Sequence, residues 1–572
     1  MDVGSTLSDR IRFAASGQAP LVFKNANVLN VYTHEWLLCD VAVVAGTIVG
    51  VGTYTGDVEI DVAGKHLVPG LIDAHVHIES SQVTPRRYAE AVLPRGVTSV
   101  ITDPHEIANV LGTEGIRFML DASEGLPLTV YVMLPSCVPA TPLEEAGAVL
   151  SADDLAPFLT HPRVLGLAEM MDVPGVLSQD PAVLAKLQLA EGKVIDGHAP
   201  GVTGNALSAY VTAGVTTDHE CQTADEMWER LRLGQYVLMR EGTAAKNVKA
   251  LMTALTVQNM ARVLLCTDDR DAHSLLSEGA VDYAVRLLMK EGVDPATAIR
   301  LATLNTAEAY GLKTKGAIAP GKEATFSILN DLASFDVADV YVLGEHVAAA
   351  GKTIVPLNPA RQVSGPLGGV TVKLPSAAAM QIRIASERAR VIGMVPDSLE
   401  TELLLEKVGE VGSVFVPDKT RSLLLNLERH GGSGNVGSGI IKGYGIENGA
   451  IAQSIGHDSH NVTVIGDNAA DMRAAVSRLA VTGGGIVIVQ NGEVAAEMTL
   501  EIAGLMTDQP LQDVEKQSAV LYEVARERLA IPATVDPFVA LSFMSLPVIP
   551  ALKLTTKGLF DVTAFQHVPL FA

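Results

Sequence analysis

The chain has 572 residues, 48% of them apolar and 19% charged, with 42 Lys and Arg against 65 Asp and Glu for a formal charge of −23. That apolar content builds large cores and speaks against intrinsic disorder, while so acidic a surface repels phosphate backbones and anionic headgroups, arguing against nucleic-acid or membrane partners. Four dispersed cysteines without a CxxC pair, no apolar run of about 18 residues and no apolar signal core point to a cytoplasmic protein.

Taken in chain order, residues 21–68 read as short apolar strands broken by turns, among them LVFKNANVLNV and CDVAVVAGTIVGVG. Residues 321–356 have the same texture, so the two pieces are expected to pair into one β-sandwich domain, 1–69 with 313–362. Between them, 70–312 alternates apolar β-rich runs with helical stretches, the signature of parallel strands joined by crossover helices. Those runs end at His77, His105, Ser136, Glu169, His198, His219, Glu241 and Asp268, with spacings of 28, 31, 33, 29, 21, 22 and 27 residues.

Eight such units fit a (β/α)8 barrel of about 250 residues. An open doubly wound sheet shares the alternation, but it would spread its strand ends along an edge. A barrel brings them to one face, which accounts for a reactive side chain closing nearly every strand. Beyond RQVSGPLGG, read as a linker, 363–572 is expected to form an additional C-terminal α+β domain. Its strands include TVKL and GGGIVIVQNG, and its helices ADMRAAVSRLAVT and LQDVEKQSAVLYEVARERL.

His75 and His77 are two apart, so on a strand both imidazoles share a face and can enter one cavity at the barrel mouth. With His198, His219 and Asp268 closing later strands and Glu169 placed to bridge two ions, they form a donor set suited to zinc, iron or manganese. The chain lacks HxE paired with PCxxC, which excludes the His/Cys/Cys zinc design for nucleobase deamination. Gly432, Gly434 and Gly437 match GxGxxG but precede no evident helix, so a dinucleotide fold is not expected there.

At these residues the chain resembles the amidohydrolase superfamily, in PGLIDAHVHIESS and in GLKTKGAIAPGKEATFSILND. More narrowly it resembles the adenine deaminases of that superfamily, in the run from HIESS to DPHEIANVLG, in GLAEMMDVPGV, IDGHAPG, TTDHE, REGTAA and CTDDR, and in HDSHNVTVIGDN and KGLFDV near the end. Gln82, where Met is expected, and the Arg-rich PRR at 85–87 depart from that pattern. The resemblance implies hydrolysis of adenine to hypoxanthine and ammonia at a binuclear divalent centre of Fe2+ or Mn2+, with Zn2+ as a further option. The implied substrate is a free purine base, and a homodimer is the expected assembly. A cyclic amide or ureide hydrolase, an N-deacetylase, or a scaffold on a dead fold are the alternatives.

Metal hydroxide would attack C6, with Asp268 accepting its proton and passing it to the departing amine. Ring N1 needs an acid, for which Glu106 and His105, in the loop after the second strand, are candidates. Asp103 could orient His105, meet the substrate, or help hold a further metal. Glu79 and Ser80 (with Ser81) could contact substrate or cap the next helix. An Arg240–Glu241 ion pair is expected, and Asp269 and Arg270 are expected to shape their loop. His457, Asp458 and His460 could close over the barrel mouth, bind a metal, or form a turn.

Overall fold

The computed structural model describes residues 6–358, 367–396 and 398–572; most of the linker stretch read at RQVSGPLGG lies outside the described residues. The apolar runs of the middle region form eight parallel strands: Leu71–His77, Val97–Thr102, Thr129–Leu134, Val164–Met170, Val194–Gly197, Thr217–Asp218, Tyr236–Arg240 and Val263–Cys266. Strands one and two are buried at every residue, as central parallel strands covered on both faces must be.

The barrel closes at two seams. After the eighth strand, Asp268–Asp269 pairs with the end of the first, Asp268 opposite Val76 and Asp269 opposite His77. Between strands five and six, the Thr216 amide donates to the Ile195 carbonyl at 2.9 Å. A Cβ on Gly197 would sit 2.2 Å from the Thr217 carbonyl, so only glycine lets these strands converge just before His198. Inside, Ile72, Ala74, Ile101, Met133, Ala168, Leu238 and Leu264 pack together. Below them, the Tyr310 hydroxyl bonds the Ala74 carbonyl at 3.0 Å and Asp196 at 2.9 Å. The barrel is a packed core whose chemistry is confined to its C-terminal face.

The two flanking β pieces do pair. Phe326–Asp331 runs antiparallel to His66–Pro69, which lies beside Gln18–Asn30, joining both ends of the barrel segment in one nine-stranded sheet. In the C-terminal region an eight-stranded sheet runs from Thr401–Lys407 to Glu493–Thr499. The helices Ala469–Thr482 and Leu511–Glu527 fall where the sequence places them. TVKL does not become a strand: it makes only an isolated bridge, Thr371 to His430. The glycine-rich stretch holds the strands Val436–Lys442 and Ala450–Gln453.

This C-terminal region sits on the barrel mouth and is anchored there by polar contacts, most of them half-buried. Asp508 accepts from Thr84 Oγ1 at 2.7 Å, pairs with Arg86, and offers its carbonyl to Arg87 Nε at 2.8 Å. The PRR segment is thus a docking element. On the other side, the Glu145 carbonyl accepts from Asn461 Nδ2 at 2.6 Å and its carboxylate from Asn435 at 3.1 Å.

Candidate active site

The strand ends bring His75, His77, Glu169, His198, His219 and Asp268 together, all but His198 nearly inaccessible to solvent. His75 Nε2 and His77 Nε2 each lie 3.2 Å from Asp268 Oδ1. Glu169 lies between two histidine groups. Its Oε1 is 3.3 Å from His77 Nε2 and 3.4 Å from His105 Nδ1, and its Oε2 is 2.6 Å from His198 Nδ1 and 3.4 Å from His219 Nε2. A carboxylate facing one way with each oxygen is suited to bridge two cations.

The donor set fits such ions on more than composition. His77 Nδ1 is 2.9 Å from the Asp103 carbonyl, and since a carbonyl only accepts, the ring proton belongs on Nδ1. The Nε2 lone pair then points at the carboxylates, as a ligating imidazole requires. His75 Nε2 is fully buried and makes no hydrogen bond, despite its closeness to Asp268. Such an orphan is costly unless something else satisfies it.

Electrostatics hold the carboxylates ionised. Burial works against a charge on Asp268, but Arg240 overcomes it, with help from His75 and His77, and its pKa falls well below the usual range. Glu169 is likewise kept low against burial, by His198 first and then His219 and His77. Asp268 sits at φ 60°, a left-handed conformation that Asp tolerates better than most residues.

The remaining predicted residues divide. Asp103 turns to His105, bonding its amide at 3.1 Å and its Nδ1 at 2.9 Å, and does not reach the cavity. His105 and Glu106 open the helix His105–Leu111 rather than lying in a loop. Glu79 and Ser80 belong to the short turn Ile78–Ser81 and do not cap the next helix, which starts behind Thr84. Glu79 Oε1 accepts from the Ile107 amide at 3.3 Å, Oε2 has no partner, and burial pushes its pKa up to about 7. Ser80 donates to Asp269.

One participant, Glu220, escapes the sequence reading, and another, Arg240, takes partners other than the one expected. Glu220, next to His219, lies 3.3 Å from His219 Nε2 and 3.6 Å from His198 Nδ1. Arg240 bonds Glu220 and also Asp268, at 3.0 Å, instead of pairing with Glu241. TTDHE contained the first signal, but strict strand alternation would send Glu220 away from the cavity. The strand stops at Asp218, so both residues face inward.

Above these groups lies a cavity of about 870 Å3, within the range of small-molecule sites. The barrel contributes His77, Glu79, His105, Glu106, Glu169, His198, His219 and Asp268 to its wall. The C-terminal region contributes His457, Asp458 and His460 together with Ile455, Leu505 and Phe543. Thus the roof belongs to the second region, and it is mostly apolar.

A parallel barrel with convergent histidines and carboxylates at its mouth defines a metal-dependent hydrolase of the amidohydrolase type. The Amidohydrolase family model matches residues 66–347, and the Adenine deaminase C-terminal domain model matches 398–566. Curated adenine deaminases are similar throughout: that of Nitratidesulfovibrio vulgaris is 47% identical over 565 residues, covering 98% of each chain. That of Geobacillus kaustophilus is 46% identical over 579, covering 99% of this chain and all of its own. Among solved structures, an adenine deaminase is 17% identical, with a TM-score of 0.44, covering 57% of this chain and 99% of that one. The chain belongs to the adenine deaminase family, hydrolases acting on C–N bonds.

Proposed function

We propose that this chain hydrolyses free adenine to hypoxanthine and ammonia. The observation that carries the reading is Glu169, with one oxygen toward each of two histidine groups at the floor of the cavity. His75, His77, His198, His219, Glu169 and Asp268 would hold a pair of divalent cations, Fe2+ or Mn2+ by family and Zn2+ as a further option, whose chemistry is to make a water nucleophilic near neutral pH.

The chain's own groups handle the protons. Asp268, kept ionised by Arg240, accepts the proton of the attacking water and delivers it to the amine leaving C6. His105 faces the electron density that builds at ring N1, with Asp103 fixing its ring, while Glu106, both of whose oxygens are bonded to His457 and His460, acts from behind. Glu79 and Ser80 contact the base, and the unpartnered Glu79 oxygen is free to do so. The apolar roof limits access of bulk water around the one that attacks. On this reading 70–312 carries the chemistry, 1–69 with 313–362 braces it, and 363–572 closes over the substrate. The acidic surface suits a neutral base as partner; a homodimer in the cytoplasm completes the proposal. Among the described residues no helix is long and apolar enough to cross a membrane.

The test is ammonia and hypoxanthine release from adenine by protein reconstituted anaerobically with Fe2+, Mn2+ or Zn2+. Turnover with at least one ion is expected. Inactivity on adenine, with cleavage of a cyclic ureide instead, would remove the substrate and leave only the superfamily chemistry.

A further inference from the structure

Glu106 leaves the barrel with both of its oxygens engaged by the other region. His457 Nδ1 lies 2.6 Å from Oε1, and His460 Nε2 is bonded to Oε2. All three residues line the cavity and are largely buried. His105 Nε2 stands 3.5 Å from the same Glu106 Oε1, linking this group to the histidines below.

Two imidazoles and a carboxylate within reach of one another resemble a cation site, but the hydrogen bonding speaks against one. The Gly456 amide donates to His460 Nδ1 at 3.2 Å, which uses that lone pair. The proton of a neutral His460 ring is therefore on Nε2, where it is donated to Glu106. A ring in that state has no lone pair at Nε2 for an ion. The backbone is braced to keep it so: the His460 carbonyl accepts from Arg429, a fully buried guanidinium that also bonds the Ala503 carbonyl at 2.9 Å.

His457 is held differently. Its amide donates to the Ser542 carbonyl at 2.9 Å, and its ring stacks on Phe543 with centroids 4.5 Å apart. With Nδ1 committed to Glu106, Nε2 is the ring's remaining polar atom, and among the described residues it has no hydrogen-bond partner.

We propose that the C-terminal region completes the active site through this bridge: His460 positions Glu106, and Glu106 in turn orients His457 toward the bound purine. The logic is that of any imidazole whose tautomer is set by a carboxylate behind it. The inference rests on the adenine reading for its substrate but not for its geometry.

The test uses the full-length, manganese-reconstituted enzyme. His460→Leu is expected to lower kcat on adenine by about 10- to 100-fold with metal content unchanged, and His460→Gln, whose amide can still donate, to recover most of it. If the Leu variant does not fold, His460→Asn, too short to reach, supplies the same contrast. The double variant Glu106→Gln/His460→Leu should be no slower than Glu106→Gln alone, because the second residue acts through the first. Additive losses would overturn the bridge, as would metal bound in the wild type beyond two equivalents and lost in His460→Leu. The same four proteins are compared by denaturant midpoint, where coupling between 106 and 460 is expected whatever the substrate. A wild type inactive on adenine therefore sinks the functional reading, while the midpoints still decide the bridge.

Discussion

Two clusters of histidine and carboxylate meet in one cavity, and they are built for opposite purposes. On the barrel floor, His77 spends its Nδ1 proton on a backbone carbonyl, leaving Nε2 bare among ionised carboxylates, while His75 Nε2 is buried with no hydrogen bond at all. In the roof, His460 spends its Nδ1 lone pair on a backbone amide and must carry its proton on Nε2. Residue types do not distinguish the clusters. The backbone group behind each ring does, by fixing which nitrogen holds the proton.

The largest test of that contrast is removal of a floor donor. His77→Ala should empty the metal site, measured by elemental analysis, and abolish turnover, whereas a roof variant should keep its metal. Asp268→Asn comes next: turnover should fall by about 10²- to 10⁴-fold while most of the metal stays, and unchanged turnover would remove Asp268 as proton carrier. Glu106→Gln should cost less, about 10- to 100-fold, again with the metal in place; metal loss there would make the clusters alike.

The smallest effect is on stability. Burial opposes a charge on His457, yet the Glu106 carboxylate outweighs it and pushes the pKa up to about 9, above the ordinary 6.5. A histidine so raised adds stability that is fully present below pH 6.5 and is lost as pH rises through 9. Wild type should therefore exceed His457→Gln by about 2 to 3 kcal/mol at pH 6, with the gap closing by pH 10. A gap independent of pH would assign it to packing on Phe543 alone.

The floor was legible because a parallel barrel converts sequence spacing into proximity. Each strand ends on the same face, so His75, His77, Glu169, His198, His219 and Asp268 could be gathered without coordinates. Glu220 was missed because period-two alternation applies only while a strand continues, and the sixth stops at Asp218. The roof was half legible: closure by His457, Asp458 and His460 was one of three readings, but their link to Glu106 was beyond reach. Glu106 and His457 are 351 residues apart, and no periodicity relates a barrel helix to a loop of another sheet. TVKL failed because its apolar alternation found only one bridging partner.

The nine-stranded sheet has a consequence for how this chain is made. His66–Pro69 leads through Gly70 directly into the strand carrying His75 and His77, yet its partner on one side is Phe326–Asp331. Even the side-chain link across this pairing, Lys65 to Asn330 at 2.8 Å, joins positions 265 residues apart. A growing chain therefore exposes an unpaired strand edge until the last barrel helix has emerged, and so distant a pairing is intrinsically slow. The strand that leads into the first histidine pair is among the earliest pieces synthesised and among the last to be flanked on both sides.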